Sequence, residues 1–212
     1  MRSLRALGFV GTLFVLFVAI GCLGTTRSAA PNEDLGAIGD FTLTDQQGRE
    51  VSRSDLLGKV WVASFIFTRC ATLCPQVCAS MAQLQEETDA ETGVMFVSFS
   101  VDPDNDTPLV LKQYAARFGA DSSRWIFLTG AREKIYELIQ RGFLLGVQQN
   151  EGAARTPGNE VTHSSRLVLV DRRGHIHARD SFDGRKVDEE GKPVNDLPRL
   201  RQRLAELVRE KP

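Results

Sequence analysis

Two segments constrain this chain more than any others. Residues 60–67 (VWVASFIF) and 94–101 (VMFVSFSV) are runs of β-branched and aromatic residues with little polar alternation. A strand with one wet face alternates polar and apolar side chains, whereas a strand covered on both faces reads as a continuous apolar run. Both segments therefore predict central strands of a sheet with helices on its faces, and helical patterns follow each. After the first, Val77, Met81 and Leu84 recur on one face of residues 76–88. After the second, Asp106 or Thr107 is placed to cap a helix that has Pro108 at its first position and runs to about Phe118.

The remaining segments are shorter. Residues 41–48 read as a strand entering a Gly turn, 54–58 as a helical turn, 125–128 as a strand and 131–142 as a helix. Residues 148–160 are polar and carry Gly and Pro, which predicts an exposed loop closed by His163 just before a strand at 166–171. Arg173-Gly174 turns a hairpin into 175–179, residues 184–196 form a charged loop, and 197–210 a terminal amphipathic helix. Strands alternating with helices, then a late hairpin and a closing helix, predict an α/β domain with a mixed central sheet flanked by helices. The formal charge of −1 leaves no basic footprint for nucleic acid.

The N-terminus has a different character. Arg2 and Arg5 precede an almost unbroken apolar run, residues 7–20. As a helix this run spans roughly 20 Å, short for a bilayer core of about 30 Å and right for a signal-peptide h-region. It ends in Ala19-Ile20-Gly21-Cys22, which resembles a bacterial lipobox and predicts lipidation at Cys22. An uncleaved helical anchor and an ordinary cleaved signal are the alternatives. Each places the domain on the periplasmic, extracytoplasmic side, and the first two leave it membrane-anchored. The expected organisation is a signal or anchor at 1–22, a tether at 23–37 and a folded domain at 38–212.

Cys22 belongs to the anchor, so Cys70, Cys74 and Cys78 remain, an odd number spaced four apart. Disulfide scaffolds show even counts spread along the chain, so this cluster points to a local chemical site. Pro75 suits the first position of a helix, which puts Cys74 at the helix N-terminus, where free N–H groups favour a thiolate. That placement serves a metal ligand and a redox nucleophile equally. The Cys-x-x-x-Cys spacing leaves more room between sulfurs than a Cys-x-x-Cys redox pair. Two thiolates select Cu(I) or Zn, an added imidazole also suits Cu(II), and structural zinc normally takes four ligands. A metal site, a dithiol and inert buried cysteines all remain open from spacing alone. His175 and His177 share a face of an expected edge strand and read as exposed. Asp102, Asp104 and Asp106 lack the Gly and closing Glu of a calcium loop and read as turn and cap residues.

Phe67-Thr68-x-Cys70-x-x-x-Cys74-Pro75 closely resembles the Phe-Thr-x-Cys-Pro-x-x-Cys-Pro signature of the Sco/SenC copper proteins. The resemblance extends to Gly58-Lys59, to Ser100-Val101-Asp102-Pro103 with Asp106-Thr107-Pro108, and to His163-Ser164 with Leu169-Val170-Asp171 and Gly174. It covers roughly residues 38–208. The resemblance implies a thioredoxin-like fold that binds one copper ion, as Cu(I) or Cu(II), through Cys70, Cys74 and His163. It also implies a metallochaperone that delivers copper to, or matures, the CuA site of a cytochrome c oxidase subunit, with other periplasmic copper or thiol proteins as further partners. Ligand exchange predicts a shallow site with the Cys70–Cys74 loop exposed, and deep burial of both sulfurs would count heavily against transfer. Three residues depart from the family pattern. Ala71 replaces a Pro, Thr162 stands where an acid commonly precedes the histidine, and Cys78 is extra. Cys78 packs the helix face, serves as a third thiolate, or offers Cys74 another disulfide partner. The main alternative function is a membrane-anchored thiol-disulfide oxidoreductase acting through Cys70/Cys74 or Cys74/Cys78.

Overall fold

The computed structural model describes residues 36–178 and 197–210. The anchor with Cys22, most of the tether and the charged loop 184–196 lie outside the described residues. Among the described residues no helix is long and apolar enough to cross a membrane.

The two apolar runs become β3 (Trp61–Ile66) and β4 (Met95–Ser100), paired in parallel from Trp61–Met95 to Ile66–Ser100. β5 (Trp125–Thr129) continues the parallel set on the far side of β4. β1 (Thr42–Asp45) and β2 (Glu50–Ser52) add antiparallel strands beyond β5. β8 (Val168–Val170) and β9 (Ile176–Ala178) add an antiparallel pair on the other edge, against β3. The order is β2-β1-β5-β4-β3-β8-β9, a mixed seven-stranded sheet among the described residues, as expected.

Helices α1 (Arg53–Leu56), α2 (Leu73–Glu87) and α3 (Pro108–Arg117) follow β2, β3 and β4 in turn. α4 (Arg132–Glu137), extended by a π turn over Leu138–Gly142, follows β5, and α5 (Leu197–Arg209) closes the chain. Every residue of β3 is buried, because helices or loops cover both faces. Phe99 anchors the core, with ring centroids 5.4–6.3 Å from Phe143, Phe41, Phe65 and Trp61. Serines interrupt the apolar runs without cost because each finds a partner. Ser64 and Ser98 hydroxyls lie 2.8 Å apart, and Trp125 Nε1 donates to Ser98 at 3.0 Å.

Two features departed from the sequence pattern. The segment expected as a plain loop is framed by β6 (Val147–Gln149) and β7 (Val161–His163), a separate antiparallel ribbon that ends in the predicted histidine. Strands of three residues inside a Gly- and Pro-bearing stretch leave no periodicity to read. Thr107 caps α3 as predicted, accepting from the Val110 N–H. Asp106 does not share that task.

The Asp106 carboxylate is fully buried and accepts from Ser100 Oγ at 2.6 Å, Thr68 Oγ1 at 2.5 Å and the Thr68 N–H at 3.2 Å. It therefore ties the start of the cysteine loop to the end of the neighbouring strand. Asp106→Ala strands these donors in the interior. Thermal unfolding should fall by roughly 5–10 °C, about 2–3 kcal/mol, and Asp106→Asn by less than half as much. An unchanged melting temperature in the alanine variant would remove the carboxylate from this structural role.

Candidate metal centre

The site lies where β3 and β4 end side by side, at the carboxyl edge of the parallel strands, the usual ligand edge of an α/β sheet. Phe67 to Thr72 carry the chain from β3 into α2, and Thr72 occupies the N-cap. Leu73, Cys74 and Pro75 are thus the first three helical residues. The expected arrangement, with Pro75 first and Cys74 just outside, is corrected by two positions, because Pro is equally tolerated throughout the turn whose N–H groups lack partners. This changes which sulfur meets the helix terminus. The Cys74 N–H donates to Cys70 Sγ at 3.4 Å, so Cys70 receives the helix-terminal donor.

The sulfurs differ accordingly. Cys70 is held well below the ordinary thiol range, first by a hydrogen bond from the Cys74 side chain and then by the N–H groups of Cys74, Thr72 and Leu73, against an opposing effect of burial. Cys74 is pushed up by donating that bond and by burial. Cys74 is the more deeply set of the two: it is 0% exposed, its sulfur accepts from the Phe67 N–H at 3.5 Å, and it lies 3.5 Å from His163 Nε2. His163, the last residue of β7, is half-buried and stands edge-on to Phe67, with centroids 5.6 Å apart. Its Nδ1 is 2.9 Å from the Ser164 carbonyl, which only accepts. Nδ1 therefore carries the proton and Nε2 turns a lone pair toward Cys74. A backbone carbonyl does here the orienting that a neighbouring acid would do, while Thr162 turns its hydroxyl to Asn150 at 2.8 Å.

The Cys74 thiol hydrogen faces His163 Nε2 across 3.5 Å, and the Cys70 sulfur is held to the same residue through the Cys74 N–H. Replacing that hydrogen with a soft cation would engage two sulfurs and one imidazole nitrogen, a donor set that fits copper. The contacts are pairwise through Cys74. Among the described residues no group of three or more His, Cys, Asp or Glu side chains is already drawn up as a metal shell. The expected shallowness holds only for the connecting loop. Ala71 and Thr72 are exposed, but both cysteines are buried, with Cys70 retaining 8% exposure. The first turn of α2 folds Cys74 under this loop.

Cys78 is also 0% exposed, and its thiol donates to the Tyr114 hydroxyl at 3.9 Å. Burial pushes it up to about 12, so it is a neutral packing thiol at physiological pH. The three cysteines are free. The sequence pattern left Arg69 and Glu160 unassigned and gave Asp106 only a turn or capping role. Thr68 stood inside the recognised motif, but its partner lies 38 residues away and leaves no local signal. His175 bridges Ala37 near the edge strand β9, away from the cysteine loop in the sheet.

The thiolate is the nucleophile, so alkylation follows ionisation. Iodoacetamide should label Cys70 before Cys74 or Cys78. Its rate should hold between pH 8 and 6, where an ordinary thiol slows about tenfold per unit. Peptide mass spectrometry reads this, and labelling of Cys74 first would reverse the assignment.

A family model described as SCO1/SenC matches residues 29–191. A SCO1 protein homolog of Bacillus subtilis is 41% identical over 138 residues, covering 64% of this chain and 69% of its own length. The crystal structure of a SCO1/SenC family lipoprotein from Bacillus anthracis superposes with a TM-score of 0.71 at 34% identity, covering 84% of this chain and 99% of that one. BsSco, of the Sco family of cytochrome c oxidase assembly proteins and described with a disulfide switch, gives 0.69 at 32%, covering 84% and 98%. Bradyrhizobium japonicum ScoI with copper bound gives 0.60 at 25%, covering 77% and 99%. The fold is the thioredoxin-like one expected, and with more than half its length matched by the family model the chain belongs to the SCO1/SenC family.

Proposed function

We propose that this protein is a copper metallochaperone that carries one copper ion on Cys70, Cys74 and His163 and matures the CuA site of a cytochrome c oxidase subunit. The observation that carries the reading is the facing pair, Cys74 Sγ and the lone pair of His163 Nε2, 3.5 Å apart across 89 residues of sequence. Redox chemistry at a dithiol would not need His163 as a ligand. The copper-bound ScoI structure and the oxidase-assembly role of BsSco support the cargo and the pathway. A lipid on Cys22, or an uncleaved helix, would tether the domain on the periplasmic face, in reach of such a target.

Delivery proceeds by ligand exchange. Burial of both cysteines argues against exchange from the closed arrangement, so the Ala71–Thr72 segment has to move aside. Incoming thiolates then reach the cargo across the edge formed by Cys70 and half-buried His163. Cys74, with no exposed surface and a backbone donor on its sulfur, releases last.

A second reading has its own observation. A low-pKa Cys70 beside a protonated Cys74 is also how a redox dithiol is prepared. In that version Cys70 and Cys74 form the disulfide, and Cys78, turned to Tyr114, stays outside it.

An anaerobic copper titration of the reduced protein separates the two. One copper should bind per chain, His163→Ala should weaken it roughly 10–100-fold, and Cys74→Ser should abolish stoichiometric binding. Full-strength binding without His163 would sink the three-ligand site and favour the dithiol.

A further inference from the structure

The two halves of the site come from distant parts of the chain, and one side chain joins them. Arg69 directly precedes Cys70. Its guanidinium reaches Asp102 Oδ2 through Nη2 at 2.7 Å and Nε at 3.2 Å, and it reaches Glu160 Oε1 through Nη1 at 3.3 Å. Asp102 follows β4 and is 1% exposed. Glu160 is 6% exposed and sits immediately before β7, three residues ahead of His163. The second Glu160 oxygen is buried and has no hydrogen-bond partner, so Arg69 is the cation that balances this carboxylate. The backbone follows the same seam. Gly158, at φ +82°, packs on the cysteine loop: a Cβ there would make ordinary van der Waals contact, 3.5 Å from the Arg69 carbonyl oxygen and 3.6 Å from the Ala71 nitrogen.

We infer that Arg69 is a positioning residue for the metal centre: its fork clamps the loop before β7 onto the cysteine loop and so holds His163 against Cys74. This deepens the proposed copper site and rests on it. The physical reason is charge. The guanidinium keeps 40% of its side-chain surface in water, but both carboxylates it serves are buried, so its removal leaves Asp102 and Glu160 facing the same gap with no cation between them. Of the two, Glu160 lies on the short ribbon outside the main sheet, so that ribbon yields first and takes His163 with it. Asp102 is further held by Asn105 Nδ2 at 3.0 Å and the Ser100 hydroxyl on its own N–H at 3.1 Å, so the strand side stays in place. Lysine keeps the charge without the planar fork and cannot serve two carboxylates in the same way.

A double-mutant cycle on copper affinity tests this, with the full reduced chain in mild detergent competing against a chromophoric Cu(I) chelator. Arg69→Ala should weaken binding about tenfold or more in the otherwise unchanged protein, Arg69→Lys by less, and Arg69→Ala should add no more than about twofold once His163 is alanine. The Cu(II) electron paramagnetic resonance spectrum of Arg69→Ala should shift toward that of His163→Ala. If Arg69→Ala does not fold, Glu160→Gln, which leaves the Arg69–Asp102 pair intact, should show the same dependence on His163. An equal loss with and without His163, or no loss at all, overturns the positioning role while leaving the three-ligand site standing. No effect of His163→Ala itself brings down both.

Discussion

Everything at this centre hangs on Cys74. Its amide donates to the Cys70 sulfur, its own sulfur takes the Phe67 N–H, and its side chain faces the imidazole of His163. Complete burial makes each contact matter more, because a thiol removed from water has only these partners. The residue sits in the first turn of a fifteen-residue helix, 0% exposed. The asymmetry of the two sulfurs follows directly. The one outside the helix collects the terminal N–H groups, which favour its thiolate, and the one inside is pushed toward its protonated form.

The sheet explains why such a site can be assembled from remote segments. Parallel β3 and β4 finish at the same edge, so the loops that leave them are neighbours without any sequence proximity. Thr68 on one loop and Asp106 on the other lock those exits together, and Asp102 beside them receives Arg69. The third contributor, β7, is not part of the main sheet at all. It is therefore the part of the site that depends most on side-chain contacts, and of Cys70, Cys74 and His163 it carries the most exposed side chain.

Much of this was legible in the sequence. Two continuous apolar runs announced the central strands, the cysteine spacing announced a local site, and the motif around His163 joined it to that site. Other features resisted for identifiable reasons. Pro75 is acceptable at several positions of a first helical turn, so it did not fix which sulfur meets the helix end. A capping role and a buried bridging role look alike for an Asp before Thr-Pro, and only the fold reveals that Asp106 took the second. Arg69 and Glu160 are common surface residue types separated by 91 positions, and nothing local marks them as a pair. The buried depth of Cys70 was missed because exposure of a loop was equated with exposure of the residues at its ends.

In the proposed site Cys70, Cys74 and His163 share one ion. Copper-edge X-ray absorption of the Cu(I)-loaded protein tests it most directly. A three-ligand site gives two sulfur scatterers and one imidazole, with the imidazole signal absent in His163→Ala and one sulfur lost in Cys70→Ser. Three sulfurs and no imidazole, which would bring Cys78 away from Tyr114 and into the shell, would contradict it.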